Sequence, residues 1–128
     1  MAYLLDTVAA LMWWTDADRL GRDARRTIER REVAMHLSPV SVWEIANTNR
    51  LGKLPQVVDF ARRLPALVRD NGFRVLDLRP AHAMRAGYLP GAHRDPFDRL
   101  IAGQALEEGM TVLTNDPEIA AFGCEVLW

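Results

Sequence analysis

This 128-residue sequence lacks the features of disulfide-bonded, membrane-spanning and secreted proteins and of several common enzyme classes. The single cysteine, Cys124, excludes an internal disulfide and a cysteine-based metal site. No apolar run approaches the roughly 20 residues that a membrane-spanning helix needs, and no basic segment of a secretory signal precedes Asp6. The histidines, His36, His82 and His93, lack metal-ligand spacing, and neither a glycine-rich phosphate loop nor a Ser-His-Asp arrangement is present. These absences predict a cytoplasmic protein without a membrane partner and leave carboxylates as the candidate reactive groups.

Lysine is also almost absent, since Lys53 is the only lysine among 16 basic residues. The formal net charge is −1. Five acidic residues are candidates for a functional site, and without them the chain has 12 acidic and 16 basic residues. The five are Asp6, Glu44, Asp95, Asp98 and Asp116. Arginine can pair with phosphate through two hydrogen bonds at once. The arginine content therefore permits RNA binding, although a GC-rich genome would explain it equally well.

Short apolar runs alternate with amphipathic stretches along the chain. Strands are predicted at 2–5, 33–37, 73–78, 110–114 and 125–128, and helices at 8–14, 15–31, 39–51, 57–70, 80–88, 96–109 and 117–122. Pro65 is expected to kink or split the helix over 57–70. This alternation predicts an α/β fold, with a parallel β-sheet of four to five strands flanked by helices on both faces. With no linker or internal repeat, residues 1–128 are expected to form a single domain.

Acidic residues follow two of the predicted strands and lie near the start of two predicted helices. Asp6 and Asp116 each end a short apolar run, whereas Glu44 and Asp98 each belong to an apolar-periodic stretch. In an open α/β sheet, the carboxyl ends of strands and the nearby helix starts form one crevice. Carboxylates that meet there would repel one another. A divalent cation would remove the conflict, and carboxylate ligands without His or Cys favour Mg²⁺ or Mn²⁺.

Each acid also has a purely structural interpretation. Asp6, Asp95 and Asp116 are all placed to cap the N-terminus of the following helix. Glu44 is less easily explained by capping, because Ser38 is the better cap and the flanking residues are apolar. Asp98 follows Asp95 by one helical turn, on the same face. Two small polar residues near Asp116, Thr114 and Asn115, are suited to positioning a water or a phosphate oxygen, and we expect them and Asp95 to help position the substrate.

The aromatic residues suggest packing and contacts with other chains. Trp43 and Trp128 are predicted to be core residues. The adjacent pair Trp13 and Trp14 cannot both point inward from one helix easily, so one of them is expected to contact a partner subunit. His93 is expected on a surface loop, with contact to substrate as the alternative.

Five segments together resemble the PIN-domain family, specifically the VapC-type toxins of toxin–antitoxin pairs. Each segment is weakly informative alone, but their order and spacing over nearly the whole chain are specific. They are Tyr3–Thr7, Ser38–Ile45, Leu51–Leu54, His93–Ala102 and Thr114–Asp116.

This resemblance implies a metal-dependent endoribonuclease whose four acids, catalytic and metal-binding, match Asp6, Glu44, Asp98 and Asp116. Asp95 is an additional acid beside the third, so the resemblance leaves open which of Asp95 and Asp98 contacts the Mg²⁺ or Mn²⁺ ion. It further implies a homodimer and inhibition by a small antitoxin protein. If a metal-activated water attacks the RNA phosphodiester, the products carry 5′-phosphate and 3′-hydroxyl ends.

Two other functions are compatible with parts of the pattern. A catalytically degenerate PIN fold could bind a partner protein or RNA without cleavage, which Trp13 and Trp14 would suit. A phosphotransferase with a nucleophilic aspartate after the first strand is disfavoured, because that chemistry usually needs a second aspartate two residues later, where this chain has Val8.

Overall fold

We describe residues 1–54 and 59–128 in a computed structural model of the chain. The strands are β1 (Ala2–Leu5), β2 (Ala34–Leu37), β3 (Arg74–Val75), β4 (Thr111–Leu113) and β5 (Val126–Leu127). The helices are α1 (Thr7–Thr15), α2 (Arg22–Glu29), α3 (Pro39–Arg50), α4 (Phe60–Asp70), α5 (Pro80–Tyr88), α6 (Pro96–Glu108) and α7 (Pro117–Ala121). Proline occupies the first position of α3, α5, α6 and α7, where its missing N–H costs no helical hydrogen bond.

The strands form one five-stranded parallel sheet in the order β3-β2-β1-β4-β5. Leu4 in the central strand pairs with His36 of β2 on one side and with Val112 of β4 on the other. The chain therefore winds outward from β1 in one direction and then in the other. In such sheets, ligands bind at the carboxyl edge where the winding direction reverses, here between β1 and β4. The predicted fold class is confirmed.

Apolar side chains are buried on both faces of the sheet. Leu4 and Leu5 are adjacent in β1 and both fully buried, but they belong to separate core clusters because alternate residues of a strand face opposite sides. Leu5 packs with residues that include Phe60 of α4, and Leu4 with residues that include Ile101 of α6. Helices thus cover both faces, as the near-continuous apolar strands predict.

The polar segment predicted as one helix over 15–31 is divided in the structure. A short 3₁₀ turn at Ala17–Arg19 precedes α2, which begins at Arg22. Gly21 lies between them and packs against the end of the chain, since a Cβ atom on Gly21 would lie 2.3 Å from the backbone carbonyl carbon of Trp128. This close approach explains why the chain breaks the helix at a glycine.

The helix α4 is continuous through Pro65, so the chain is not split there; a kink at Pro65 stays a prediction. The start predicted for this helix, near Val57, lies outside the described residues. Trp14 from α1 packs its ring against Phe60 and Phe73, with centroid distances of 5.9 and 5.8 Å. Trp13 donates from Nε1 to the Oδ1 of Asn71 at 2.9 Å. Both tryptophans are thus engaged within the chain, and contact of either with a partner subunit stays a prediction.

A buried amide connects the two helices that carry Glu44 and Asp98. Gln104 of α6 is fully buried, and its Oε1 accepts a hydrogen bond from the Ser38 hydroxyl at 2.5 Å. Its Nε2 donates to the carbonyl oxygen of Leu76 at 2.9 Å. Because buried polar groups are costly to leave unpaired, this arrangement fixes the start of α3 relative to α6.

Close packing also fixes α5 against α6. A Cβ atom on Gly103 would lie 2.8 Å from both the Cβ of Ala86 and the carbonyl oxygen of His82. Gly87, by contrast, has open space where a Cβ would be. No helix within the described ranges is both long and apolar enough to cross a membrane.

Candidate active site

A polar pocket lies at the carboxyl edge of the sheet, where β1 and β4 end. Acidic residues come to it from four separate segments of the chain. Its lining consists of Asp6, Thr7, Val8, Leu11, Glu44, Thr48, Asp95, Asp98, Asn115, Asp116 and Pro117. The fold therefore brings the four predicted acids, together with Asp95 and Asn115, around one pocket.

Asp6 is the most buried of these acids, with only 8% of its surface exposed. It caps α1, and its Oδ1 accepts a hydrogen bond from the Ala9 backbone N–H at 2.6 Å. The pKa of Asp6 is raised from 3.8 to about 6, chiefly by burial; the hydrogen bonds from Thr114 and the Ala9 N–H act to lower it, and the charges of Asp98 and Asp116 act to raise it. The deprotonated carboxylate is thus held at an energetic cost that a cation would relieve.

Glu44 faces Asp6 from the second turn of α3. The Thr7 hydroxyl donates to Glu44 Oε1 at 2.6 Å and lies 2.9 Å from the Ser41 hydroxyl. Since Thr7 has one hydroxyl proton, Ser41 donates to Thr7 when that proton is directed at Glu44. Burial raises the pKa of Glu44, opposed by the Thr7 hydrogen bond and reinforced by the charges of Asp95, Asp98 and Asp6.

Asp98 lies in the first turn of α6 with one quarter of its side chain exposed. Its Oδ2 is 2.8 Å from the Nε2 of His93, whose Nδ1 is 4.0 Å from Glu118 Oε2. Burial raises the pKa of Asp98, with the charges of Asp95 and Asp116 acting in the same direction and His93 in the opposite one. The hydrogen bond with Asp98 in turn raises the pKa of His93.

Asp95 and Asp116 are both N-caps and pocket residues. Oδ1 of Asp95 accepts from the Phe97 N–H, and Oδ1 of Asp116 accepts from the Glu118 N–H, each at 2.9 Å. Capping uses one carboxylate oxygen and leaves the other for a ligand. For Asp6, Asp95 and Asp116 the capping interpretation and the pocket interpretation are therefore compatible.

Thr114 has a different position from the one expected for a substrate-contacting residue. Only 2% of its surface is exposed, and its hydroxyl accepts from the Asp116 backbone N–H at 3.0 Å. It also hydrogen-bonds Asp6, which lowers that carboxyl's pKa. Thr114 thus orients the Asp6 carboxylate and holds the backbone at Asp116, whereas the exposed Asn115 lines the pocket itself.

The donor atoms fit a hard divalent cation. Carboxylate oxygens from four segments converge, three of the acids have raised pKa values, and the N-termini of α1 and α6 favour anions there. Donor atoms of His93, Asp95 and Asp98 lie within 4.8 Å of one another. That grouping keeps both Asp95 and Asp98 as candidate ligands and adds His93.

Sequence reasoning missed the residues that organise this site from outside. His93 lies on a loop, as predicted, but its side chain is only 24% exposed and hydrogen-bonds Asp98, a contact that the sequence does not indicate. Arg99 was assigned no role, but its guanidinium donates to four backbone carbonyls and lies 5.2 Å from the centroid of the Phe122 ring. Those carbonyls belong to Ala86, Leu89, Gly91 and His93. Arg99 therefore holds the loop that places His93 beside Asp98. In the sequence, the only indication of this role is that Arg99 directly follows Asp98.

The prediction that Trp43 is a core residue is wrong. The residue is 53% exposed, and its ring stacks on that of Phe97 with a centroid distance of 4.9 Å. Neighbouring positions of an α-helix point about 100° apart. Glu44 can therefore line the pocket and Ile45 can be fully buried while Trp43, one position before Glu44, faces solvent. Trp128 is partly buried and packs against the core, as predicted.

A parallel sheet in this order with carboxylates at its switch point is the arrangement of a PIN domain, and the PIN domain family matches residues 3–123. The chain belongs to the PIN-domain family. Ribonuclease VapC22 of Mycobacterium tuberculosis (strain ATCC 25618 / H37Rv) is 30% identical over 117 residues, which cover 88% of this chain and 85% of that protein. The resemblance to VapC-type proteins is thereby confirmed.

Solved structures of low sequence identity share the fold. VapBC2 from Rickettsia felis, bound to a DNA fragment from the promoter, has a TM-score of 0.73 at 15% identity and covers 99% of this chain and 98% of that one. FitAcB from Neisseria gonorrhoeae has a TM-score of 0.71 at 20% identity, covering 98% and 96%. VapC20 of Mycobacterium tuberculosis, a toxin that cleaves the sarcin–ricin loop, has a TM-score of 0.65 at 18% identity, covering 95% of each chain.

Proposed function

We propose that this protein is a metal-dependent endoribonuclease toxin of a toxin–antitoxin pair. The observation that carries the proposal is the convergence of Asp6, Glu44, Asp98 and Asp116 on one pocket at the switch point of the sheet. A divalent cation would relieve the repulsion between carboxylates that line one pocket, and it would also bind a phosphodiester there. The 30% identical relative named as a ribonuclease supports RNA as the substrate.

Asp6, Glu44, Asp98 and Asp116 would hold Mg²⁺ or Mn²⁺, with Asp95 and His93 close enough to Asp98 to share in coordination. When bound there, the ion supplies positive charge for the phosphate and makes a coordinated water more acidic. Thr7 would orient the Glu44 carboxylate and Thr114 the Asp6 carboxylate before substrate arrives, and Thr114 also holds the backbone at Asp116.

The remaining steps fall to the protein's own groups. A carboxylate of Asp98 or Asp116 that is not fully committed to the cation accepts a proton from the attacking water and orients it. Asn115 is exposed at the pocket edge and can donate to a phosphate oxygen. Attack by water on phosphorus would break the bond between phosphorus and the 3′ oxygen. The 3′ oxygen would leave on the upstream ribose and take up a proton, which gives a 3′-hydroxyl end and a 5′-phosphate end.

Partners follow from the same proposal. Several structural neighbours are VapBC or FitAB assemblies. We infer a cognate antitoxin that covers the acidic pocket, and a homodimer as the functional unit. An RNA substrate would place the activity in the cytoplasm.

The test is cleavage of single-stranded RNA by the purified chain in Mn²⁺, in Mg²⁺ and in EDTA, with Asp6→Asn as the matched variant. We expect metal-dependent cleavage by the wild type, loss of cleavage in Asp6→Asn, and 5′-phosphate ends. A 2′,3′-cyclic phosphate product would refute hydrolysis by a metal-activated water. Absence of cleavage under all conditions, with RNA or partner binding retained, would instead favour a non-catalytic interaction module.

A further inference from the structure

Two aromatic rings stack on each other beside the acidic pocket. The Trp43 and Phe97 ring planes are 25° apart, with centroids separated by 4.9 Å. Each ring directly precedes a pocket acid, Glu44 in the case of Trp43 and Asp98 in the case of Phe97. The pair therefore spans the gap between α3 and α6 at the edge of the site.

The two rings are held in place before any ligand binds. The backbone N–H of Phe97 donates to Asp95 Oδ1 at 2.9 Å, which anchors the first turn of α6. The buried hydrogen bond between Ser38 and Gln104 fixes α3 against the same helix. Phe97 supports one side of the indole, while Trp43 as a residue stays more than half exposed to solvent. An aromatic surface that is already ordered loses little entropy on binding.

We propose that Trp43, supported by Phe97, is a stacking platform for an unpaired base of the RNA substrate, next to the phosphate that the acids engage. This inference rests on the proposed ribonuclease function and specifies how its substrate is held. Phosphates approach the carboxylates only through a cation, so a site this acidic gains affinity for RNA from contacts that do not involve charge. Base stacking on an aromatic face is such a contact, and every base can make it.

The same surface could in principle accept a side chain of an antitoxin or of a second copy of this chain. The position of the two rings favours the nucleobase. They directly precede two acids that line the pocket, Glu44 and Asp98, so a nucleotide bound at the acids is expected to bring its neighbouring base to the rings. Stacking is worth about 1–3 kcal/mol per base when the aromatic residue is replaced by alanine, so removal of Trp43 should weaken RNA binding roughly tenfold.

The experiment measures fluorescence anisotropy of two labelled probes in Ca²⁺, which can link the carboxylates to a phosphate, after a gel has shown that neither probe is cleaved under these conditions. One probe is a short single-stranded RNA of mixed sequence, and the other is an abasic ribose-phosphate chain of the same length. We expect the wild type to prefer the base-bearing probe, and Trp43→Ala to lose about tenfold of that preference. Trp43→Phe should retain most of it, because the phenyl ring can still stack. Tyr88→Ala removes an aromatic residue that is 85% exposed and should leave the preference as in the wild type.

The comparison of preferences separates stacking from a general structural effect, which would weaken both probes equally. If Trp43→Ala loses the same affinity for both probes, or loses affinity for neither, the platform is refuted. It is also refuted if the only effect of Trp43→Ala is weaker dimerisation or weaker antitoxin binding. The result is independent of catalysis. If the wild type cleaves RNA with Mn²⁺ but Trp43→Ala has the same preference for the base-bearing probe, the platform is refuted and the nuclease proposal is not. If the preference depends on Trp43 but no metal supports cleavage, the nuclease proposal is refuted instead.

Discussion

Replacing Asp6 with asparagine should stabilise the metal-free protein at neutral pH, even though it should abolish activity. The pKa of Asp6 is raised from 3.8 to about 6 in the folded chain, mainly by burial. Each pKa unit corresponds to about 1.4 kcal/mol, so the ionised carboxylate destabilises the folded state by about 3 kcal/mol. With 8% exposure, solvent screening reduces this figure little. Asparagine has no charge and is an equally good N-cap, so the hydrogen bond from Ala9 can be kept.

The sign of the pH dependence follows from linkage. Between about pH 4 and pH 6 the folded state binds more protons at Asp6 than the unfolded state does, so stability falls as pH rises through this window. The destabilisation is complete above the folded pKa and absent below the unfolded one. Asp6→Asn should therefore be more stable than the wild type by about 3 kcal/mol near pH 7.5, and equally stable below about pH 4.

Urea denaturation in EDTA at both pH values measures the difference, which corresponds to a midpoint shift of roughly 1–2 M at neutral pH. Asp16→Asn, a charge change at an exposed residue outside the pocket, is the control and should change stability little. Equal or lower stability of Asp6→Asn at neutral pH would show that the buried, ionised carboxylate does not destabilise the folded chain. A difference of the same size at both pH values would show that charge is not the cause.

Three other substitutions test the supports of the site. Thr7→Val removes the hydrogen bond that lowers the pKa of Glu44. The acidic limb of the cleavage–pH profile should therefore move to higher pH while the chain stays folded. An unchanged acidic limb would contradict the role of Thr7 in setting the pKa of Glu44. Gly103→Ala should destabilise the chain by about 1–3 kcal/mol in urea, because its methyl group collides with α5, whereas Gly87→Ala, with open space, should be neutral or slightly stabilising; equal effects would refute the packing argument. Gln104→Leu leaves a buried hydroxyl and a carbonyl unpaired and should cost about 2–4 kcal/mol; a loss below about 0.5 kcal/mol in the same assay would contradict it.

The elements of the fold are predictable from local patterns, whereas their arrangement is not. Proline after a capping residue marks the start of α3, α6 and α7, because that order is favourable only there. The break before α2 depends on contact between Gly21 and Trp128, residues at opposite ends of the sequence. The strand order β3-β2-β1-β4-β5 likewise depends on pairing between distant segments, which periodicity within one segment does not encode.

The acids of the site could be found because topology places them together. Parallel strands end at one edge, so the residues after β1 and β4, Asp6 and Asp116, had to approach each other. The contribution of His93 could not be found in this way, since it depends on the loop shaped by Arg99. Trp43 was misassigned because a large aromatic residue among apolar neighbours is usually buried, and the neighbours alone do not fix which side of α3 faces solvent.

The most direct test of the central claim is calorimetric titration of the purified chain with Mn²⁺, compared with Asp6→Asn and Asp98→Asn. If the converging carboxylates form one cation site, the wild type should bind Mn²⁺ and each variant should bind it at least about tenfold more weakly while remaining folded. Equal Mn²⁺ affinity in all three proteins, or no binding by the wild type, would contradict the account.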